Sequence, residues 1–317
     1  MNTKSSECVL LSARGYLPQA SEGEWYSKIE VTQYNVTPLQ GRIFAGVKFW
    51  QTRRNKAIFD SLIGLLTDKE PFIFYTPVCS NDIASLTISK HQCVGYYVTE
   101  DGSASYRDFN PQTFTGVNYL LYRFLLKPLY PSFFAIKNHF ITTDHPKFRG
   151  CIASSNKCFP LHQQYLTVVG SPWKKVSLEV VPDAVLSIDI LFRYESDETI
   201  ERVYARLASI FSERGYRNVF YKFHPIFDSE VCRNEKLKVE GHLKRYFQDV
   251  NMIFVSPGEC LEDILYSYRA DFYTDASSVS IYAAEAGCQI YSYYPLLPHF
   301  DLQKQIPFFK DYAIPIS

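Results

Sequence analysis

NVFYKFHPIF (Asn218–Phe227), MIFVSPGECLEDIL (Met252–Leu265) and DFYTDASSVSIYAAEAGCQIYSYYP (Asp271–Pro295) together make the block that decides the fold. Each opens on an apolar, β-branched or aromatic run that reads as a strand and breaks at a turn. Each then passes through a loop into a helical segment, three such transitions in one block. Repeated strand-to-loop-to-helix transitions point to a parallel sheet, because parallel strands need helical crossovers. Sheets of this kind bind ligands beyond the carboxyl ends of their strands. His224-Pro225 stand at one such end, and Ser277-Ser278 stand at another, where a small-residue helix begins.

Upstream of this block, AVLSIDILFRY (Ala184–Tyr194) reads as a buried strand. Glu195-Ser196-Asp197-Glu198 follows, then a helix over Thr199–Arg214 with Ile200, Val203, Leu207 and Ile210 on one stripe, capped by Ser196 or Asp197. The first half repeats the alternation. Strands are expected at Cys8–Ser12, Tyr26–Val36, Pro71–Thr76, His91–Thr99 and His139–Thr142, and a strand and turn at FRGCIASSNKCFP (Phe148–Pro160). A helix is expected over Val47–Thr67, with Phe49, Ile58, Leu62 and Leu65 on its apolar side. Gly170–Asp183 carries Pro172 and Pro182 and reads as a junction. The expectation is an α/β chain of two Rossmann-like domains, residues 1–175 and 176–300, with a cleft between them; residues 301–317 are expected to pack back across the first domain. Neither GxGxxG nor GxxxxGK[ST] occurs, so dinucleotide and P-loop chemistry are not indicated.

Lys+Arg and Asp+Glu are both 33, and this zero net charge argues against a broad nucleic-acid surface. WKK (Trp173–Lys175) and HLKRYF (His242–Phe247) remain as local basic patches. The 24 Tyr and 24 Phe furnish core material and, at the surface, sugar-stacking faces. Eight cysteines without CxxC or paired zinc spacing read as reduced thiols, with no metal site. The apolar run near the N-terminus is too short for an export signal, so a cytoplasmic location is expected. NYLLYRFLLKPLYPSFFAI (Asn118–Ile136) is interrupted by Arg123, Lys127, Pro128 and Pro131. It reads as a core helix and loop, and it also admits a peripheral contact with the inner membrane or a lipid-linked acceptor.

Three groups can carry chemistry. Glu100-Asp101-Gly102 directly follows the strand CVGYYVT, which puts a carboxylate at a strand end where it can take a proton from a hydroxyl; a solvated D-G turn is the alternative. His224 can bind a phosphate or give it a proton, and Pro225 keeps the histidine's backbone extended. A second pair, His145-Pro146, lacks the clear preceding strand that VFYKF provides for His224. Ser277 and Ser278 at a helix start offer hydroxyls and free amides to a phosphate, or serve only as a cap. Gly258, Glu259 and Glu262 are candidates for a ribose or base, although acids are expected in a first helical turn anyway.

In this order, Glu100-Asp101-Gly102, His224-Pro225 and Ser277-Ser278 resemble the D/E-D/E-G, HP and paired Ser/Thr motifs of the bacterial GT-B sialyltransferases, both the lipooligosaccharide and the capsular polysialyltransferase types. The resemblance spans most of the chain through three short motifs. It implies a GT-B fold, CMP-sialic acid as donor, inversion at the anomeric carbon, and no metal or other cofactor. The implied partners are the nucleotide-sugar donor and an oligosaccharide or glycolipid acceptor of lipooligosaccharide, O-antigen or capsule. By position, Asp101 is the implied base, His224 and Pro225 meet the CMP phosphate, and Ser277 and Ser278 hold it. Some lipooligosaccharide enzymes draw the base from just after the first strand of the second domain, which makes Asp197 its rival here. The His-Pro and Ser-Ser pair also resembles polyglycerol-phosphate transferases that use a CDP-activated donor. A glycan- or nucleotide-binding protein without catalysis is the remaining reading.

Overall fold

A computed structural model describes residues 9–12, 27–30, 57–77, 84, 87–100, 105–106, 143–170, 173–188, 196–223, 227, 233–256, 259–275, 277–298 and 311–317. The chain divides into two compact units, Met1–Asp101 with Asp108–Gly170, and Gly102–Arg107 with Ser171–Ser317.

In the first unit, β1 (Val9–Ser12) and β2 (Ser27–Glu30) pair in parallel. A helix, α1 (57–66), leads to β3 (Phe72–Thr76), β4 (Cys93–Thr99), β5 (Phe148–Ala153) and β6 (Leu166–Val168), which form one parallel sheet in the order β3-β4-β5-β6. The buried side of α1 is Phe59 and Ile63, whereas Ile58 and Leu65 are 44% and 76% exposed. The stripe expected from sequence is therefore off by one residue. Both sets have helical spacing, and only packing selects between them. Gly150 has φ 146°, and a Cβ there would stand 3.0 Å from the Tyr165 carbonyl. It lies where the β4–β5 register shifts, between Tyr96 and Tyr97. His139–Thr142 and Asn118–Ile136 lie outside the described residues.

The second unit carries the six strands β7 (Ala184–Ile188), β8 (Asn218–Phe223), β9 (Asn251–Phe254), β10 (Asp271–Thr274), β11 (Ile290–Ser292) and β12 (Ala313–Pro315). All pairs are parallel, in the order β12-β11-β10-β7-β8-β9. Counted from β7, this is the doubly wound order of a Rossmann fold, and the order of strand addition reverses between β7 and β10. The described end of the C-terminal segment thus joins the second unit's sheet as its edge strand, where an excursion across the first domain was expected. Strand pairing over such a sequence distance leaves no local signal.

Among the described residues, four helices cover this sheet: α2 (Asp197–Glu213), α3 (Arg233–Tyr246), α4 (Leu261–Tyr268) and α5 (Val279–Glu285). Alternate strand residues serve opposite faces. Leu186, Val219, Tyr221 and Tyr273 join Leu207 and Phe211 of α2 and Val239 and Leu243 of α3 in one core. Val185, Phe220, Phe272 and Ile290 join Ile264 and Leu265 of α4 and Ala283 of α5 in the other. Right-handed crossovers enforce this division of helices once the strand order reverses. The expected stripe of α2 is buried, and Ser196 caps the helix by accepting from the Thr199 amide at 3.3 Å. The crossover helix expected after β8 had no bounds in the sequence, because Val239 and Leu243 are the only buried residues of Arg233–Tyr246 and a polar helix leaves little periodic signal.

The amino-terminal ends of the strands are tied by polar groups. Arg214 donates to the Asp271 carboxylate (3.1 Å) and the Tyr291 hydroxyl (2.8 Å) and lies 4.2 Å from the Tyr291 ring centroid. Tyr216 also donates to Asp271, and burial foremost pushes its phenol up to about 12, so it stays a neutral donor. Asp183 accepts from the Arg217 and Asn218 amides, both at 2.8 Å, holding the turn before β8 against the start of β7. Asp183→Ala is expected to lower stability by about 1–2 kcal/mol in urea unfolding, because two charge-assisted bonds at an exposed site are lost and water replaces them in part.

Candidate functional site

At the carboxyl edge of the second sheet end the strands that precede the sequence-selected positions of that unit. β8 ends at Phe223, directly before His224-Pro225; β9 ends at Phe254, before the Gly258-Glu259 turn; β10 ends at Thr274, before Ser277-Ser278. β10 borders the point where the strand order reverses, which is where doubly wound sheets open a crevice for ligands. His224, Pro225 and Gly258 themselves lie outside the described residues, as does Asp101.

The serine turn is well defined. Ser277 Oγ accepts from the Val279 amide at 3.3 Å, and the Ser277 carbonyl accepts from Ser280 N (3.1 Å) and Ser280 Oγ (2.6 Å). Ser278 occupies the cap position, but its side chain makes no capping bond. Both serines are half-buried. Because α5 spans only 7 residues, its dipole adds little, and the hydroxyls and turn amides are what this turn offers an anion. Beneath it lies a buried polar layer that sequence reading missed. Thr274 and Ser292 are fully buried and Asp275 nearly so; Thr274 Oγ1 donates to Asp275 Oδ1 at 3.2 Å, and Ser292 Oγ donates to the Asp275 carbonyl. Tyr293 reaches past β10 to donate to the Ser187 carbonyl at 3.0 Å, near the end of β7. The only sequence signal for this layer is a Thr-Asp pair at a strand end.

The turn after β9 is laced around Lys222. Its ammonium donates to the carbonyls of Ser256 (3.2 Å) and Glu259. Glu259 Oε2 in turn accepts from the Ser256 amide at 2.9 Å, so this carboxylate shapes the loop. Glu262 accepts from the Cys260 thiol at 3.1 Å; burial, helped by the Glu262 charge, pushes that thiol up to about 12, so Cys260 is not a thiolate nucleophile.

The carboxylates proposed as bases differ. Glu100 follows β4, and its Oε2 accepts from Ser154 N (2.9 Å) and Ser154 Oγ (2.7 Å), fastening β4 to the end of β5. Asp197 opens α2 and is paired with Lys238 of α3, which lowers its affinity for protons, the opposite of what a general base needs. The second His-Pro pair sits at the wrong end of its strand. His145 precedes β5, is buried beside Tyr96 with ring centroids 5.7 Å apart, and accepts from the Lys147 amide at 3.1 Å.

Parts of the basic patches are engaged within the fold. Arg245 pairs with Glu201 at 3.0 Å, His242 stacks on Tyr204, and Trp173 packs edge-on against Tyr282. Among the described residues, no group of His, Cys, Asp or Glu is gathered to hold a metal ion, and no helix is long and apolar enough to cross a membrane.

Fold and edge together define a chain of two parallel α/β units, the second Rossmann-like. No family model and no curated protein matches the sequence. Among solved structures it is similar to the UDP-GlcNAc 2-epimerase of Methanocaldococcus jannaschii in complex with UDP-GlcNAc and UDP (12% identity, TM-score 0.45, covering 89% of this chain and 72% of that one). It is also similar to a glycosyltransferase from Rickettsia africae (11%, 0.41, 90% and 70%) and to the wall teichoic acid polymerase TagF (11%, 0.41, 94% and 72%). At such TM-scores the Rossmann character of the second unit comes from its own strand order and not from these likenesses.

Proposed function

We propose that the chain is a GT-B glycosyltransferase, and specifically an inverting sialyltransferase that moves sialic acid from CMP-sialic acid to a hydroxyl of a bacterial surface glycan. The observation that carries this reading is that β8, β9 and β10, the strands directly followed by His-Pro, the Glu259 loop and Ser-Ser, all end on one carboxyl edge of a doubly wound sheet. As the glycosidic bond of the donor breaks, the CMP phosphate gains charge. Serine hydroxyls and turn amides, with the imidazole of His224, would hold that charge more tightly in the transition state than in the ground state. The acceptor hydroxyl loses a proton as it attacks from the opposite side, and Asp101 takes it. No metal enters these steps.

Melting of the purified protein with CMP, CDP, UDP and GDP at equal concentration tests the donor, because a ligand bound only by the folded state raises the melting temperature by mass action. CMP alone is expected to shift it, by an amount equivalent to about 2.7 kcal/mol at one hundred times its Kd. A shift with CDP or UDP instead would discard sialic acid as the transferred group while keeping a nucleotide-dependent transferase. No shift with any of the four would leave a glycan-binding protein.

A further inference from the structure

Trp173 begins the described part of the segment that leads away from the first unit, which ends at Gly170. From Trp173 to Val180 this segment lies along α4, and alternate backbone amides are met by α4 side chains. Lys174 N donates to Asp263 Oδ1 (2.7 Å), Val176 N to Ser267 Oγ (2.8 Å) and Leu178 N to the Tyr268 hydroxyl (2.6 Å). Val176, Leu178 and Val180 pack against the core shared with α4 and α5. These contacts account for a structural seam.

Trp173 does something different. Its ring passes beyond α4 to the Tyr282 ring on α5, with centroids 4.9 Å apart at 66°. Tyr282 is 9% exposed and sits one helical turn after Ser278. Asp263, which takes the neighbouring amide, lies in the first turn of α4, next to Glu262. One short run of chain therefore touches two of the helices that open from the candidate ligand edge, α4 along its length and α5 at its middle turn.

We infer that Trp173 is a positioning residue for the serine turn: through Tyr282 it holds α5 so that Ser277 and Ser278 stay presented to the donor phosphate. This rests on the reading of that edge as a nucleotide site. A turn of hydroxyls and amides holds an anion well only when its own backbone cannot drift, and packing behind a site supplies that rigidity. α5 is short and lacks a side-chain cap at Ser278, so an outside brace has more to do here than on a long, capped helix.

The test compares Trp173→Ala, Trp173→Phe and Leu178→Ala with the wild type, measuring the Kd for CMP by calorimetry and the melting temperature without ligand. Leu178 belongs to the same seam, and its amide bonds to Tyr268 of α4. The expected result is a CMP Kd raised about tenfold in Trp173→Ala, restored to within about twofold in Trp173→Phe, and unchanged in Leu178→Ala despite a lowered melting temperature. An unchanged Kd in Trp173→Ala would overturn the inference. So would a parallel loss of affinity in Trp173→Ala and Leu178→Ala that follows their melting temperatures, which marks general loosening. A wild type that binds no CMP fails at the donor reading itself, and the inference falls with it.

Discussion

Asp101→Ala is expected to lower transfer from CMP-sialic acid by about 10²–10⁴-fold while leaving the Kd for CMP within about twofold, because the lost group acts on the acceptor proton and not on the donor phosphate. The structure sharpens this by what it does with the other carboxylates. Glu100 spends an oxygen on two bonds from Ser154, and Asp197 is paired with Lys238. An acid tied to a lysine ionises at lower pH and takes a proton less readily. Asp101, the acid next to Glu100 in the chain, is the base proposed above. A base must be ionised to act, so the wild-type rate should rise with pH through its pKa, and that rise should vanish in Asp101→Ala. His224→Ala should instead weaken CMP binding. Turnover in Asp101→Ala equal to the wild type would remove Asp101 as the base and turn the search to Asp197, despite its lysine.

Phe211→Ala should cost about 3–5 kcal/mol of stability, the range for deleting a fully buried aromatic ring. Phe211 is on the buried side of α2 at zero exposure. Its ring meets Tyr273 of β10 at 4.8 Å between centroids, Phe247 at 5.3 Å and Tyr216 at 5.5 Å. The hole would open between α2, the central strand that precedes the serine turn, and the chain after α3. Tyr273 and Tyr216 cannot collapse into it cheaply, because Tyr216 is anchored to Asp271 and its hydroxyl lies 3.1 Å from that of Tyr273. Denaturant unfolding followed by circular dichroism measures the loss. A loss under about 1 kcal/mol would mean that the site refills, and that the hydroxyl network is looser than its distances state.

What was legible in the sequence follows the strength of local periodicity. The apolar stripe of α2 repeats at helical spacing over four positions behind a serine cap, and it is buried as read. The strands around VFYKF and DFYT are short apolar runs closed by turn chemistry, and both pair as parallel strands. α1 shows the limit: Ile58, Leu62 and Leu65 compete with Phe59 and Ile63, and only the sheet beside them decides. α3 offers too few apolar residues to stand out, and the three-residue strands β6, β11 and β12 are too short for any period. Within the candidate site, the strand-end placement of the serine pair was readable, because turn residues after an apolar run mark a strand's end. The buried layer of Thr274, Asp275 and Ser292 was not, since Ser292 reaches it from another strand.

By itself, the sequence determined that this is an α/β chain with parallel strands, where its longer strands end, and which polar residues follow those ends, since each is a property of neighbours along the chain. Only the tertiary structure decided that β7 and β10 lie side by side, that the last strand joins the second sheet, that Glu100 and Asp197 are already engaged, and that Trp173 reaches the helix of the serine turn. Those are pairings between residues far apart in sequence. They are selected by the joint burial of two sheet faces and by the need to satisfy each buried polar group, and no local pattern encodes either.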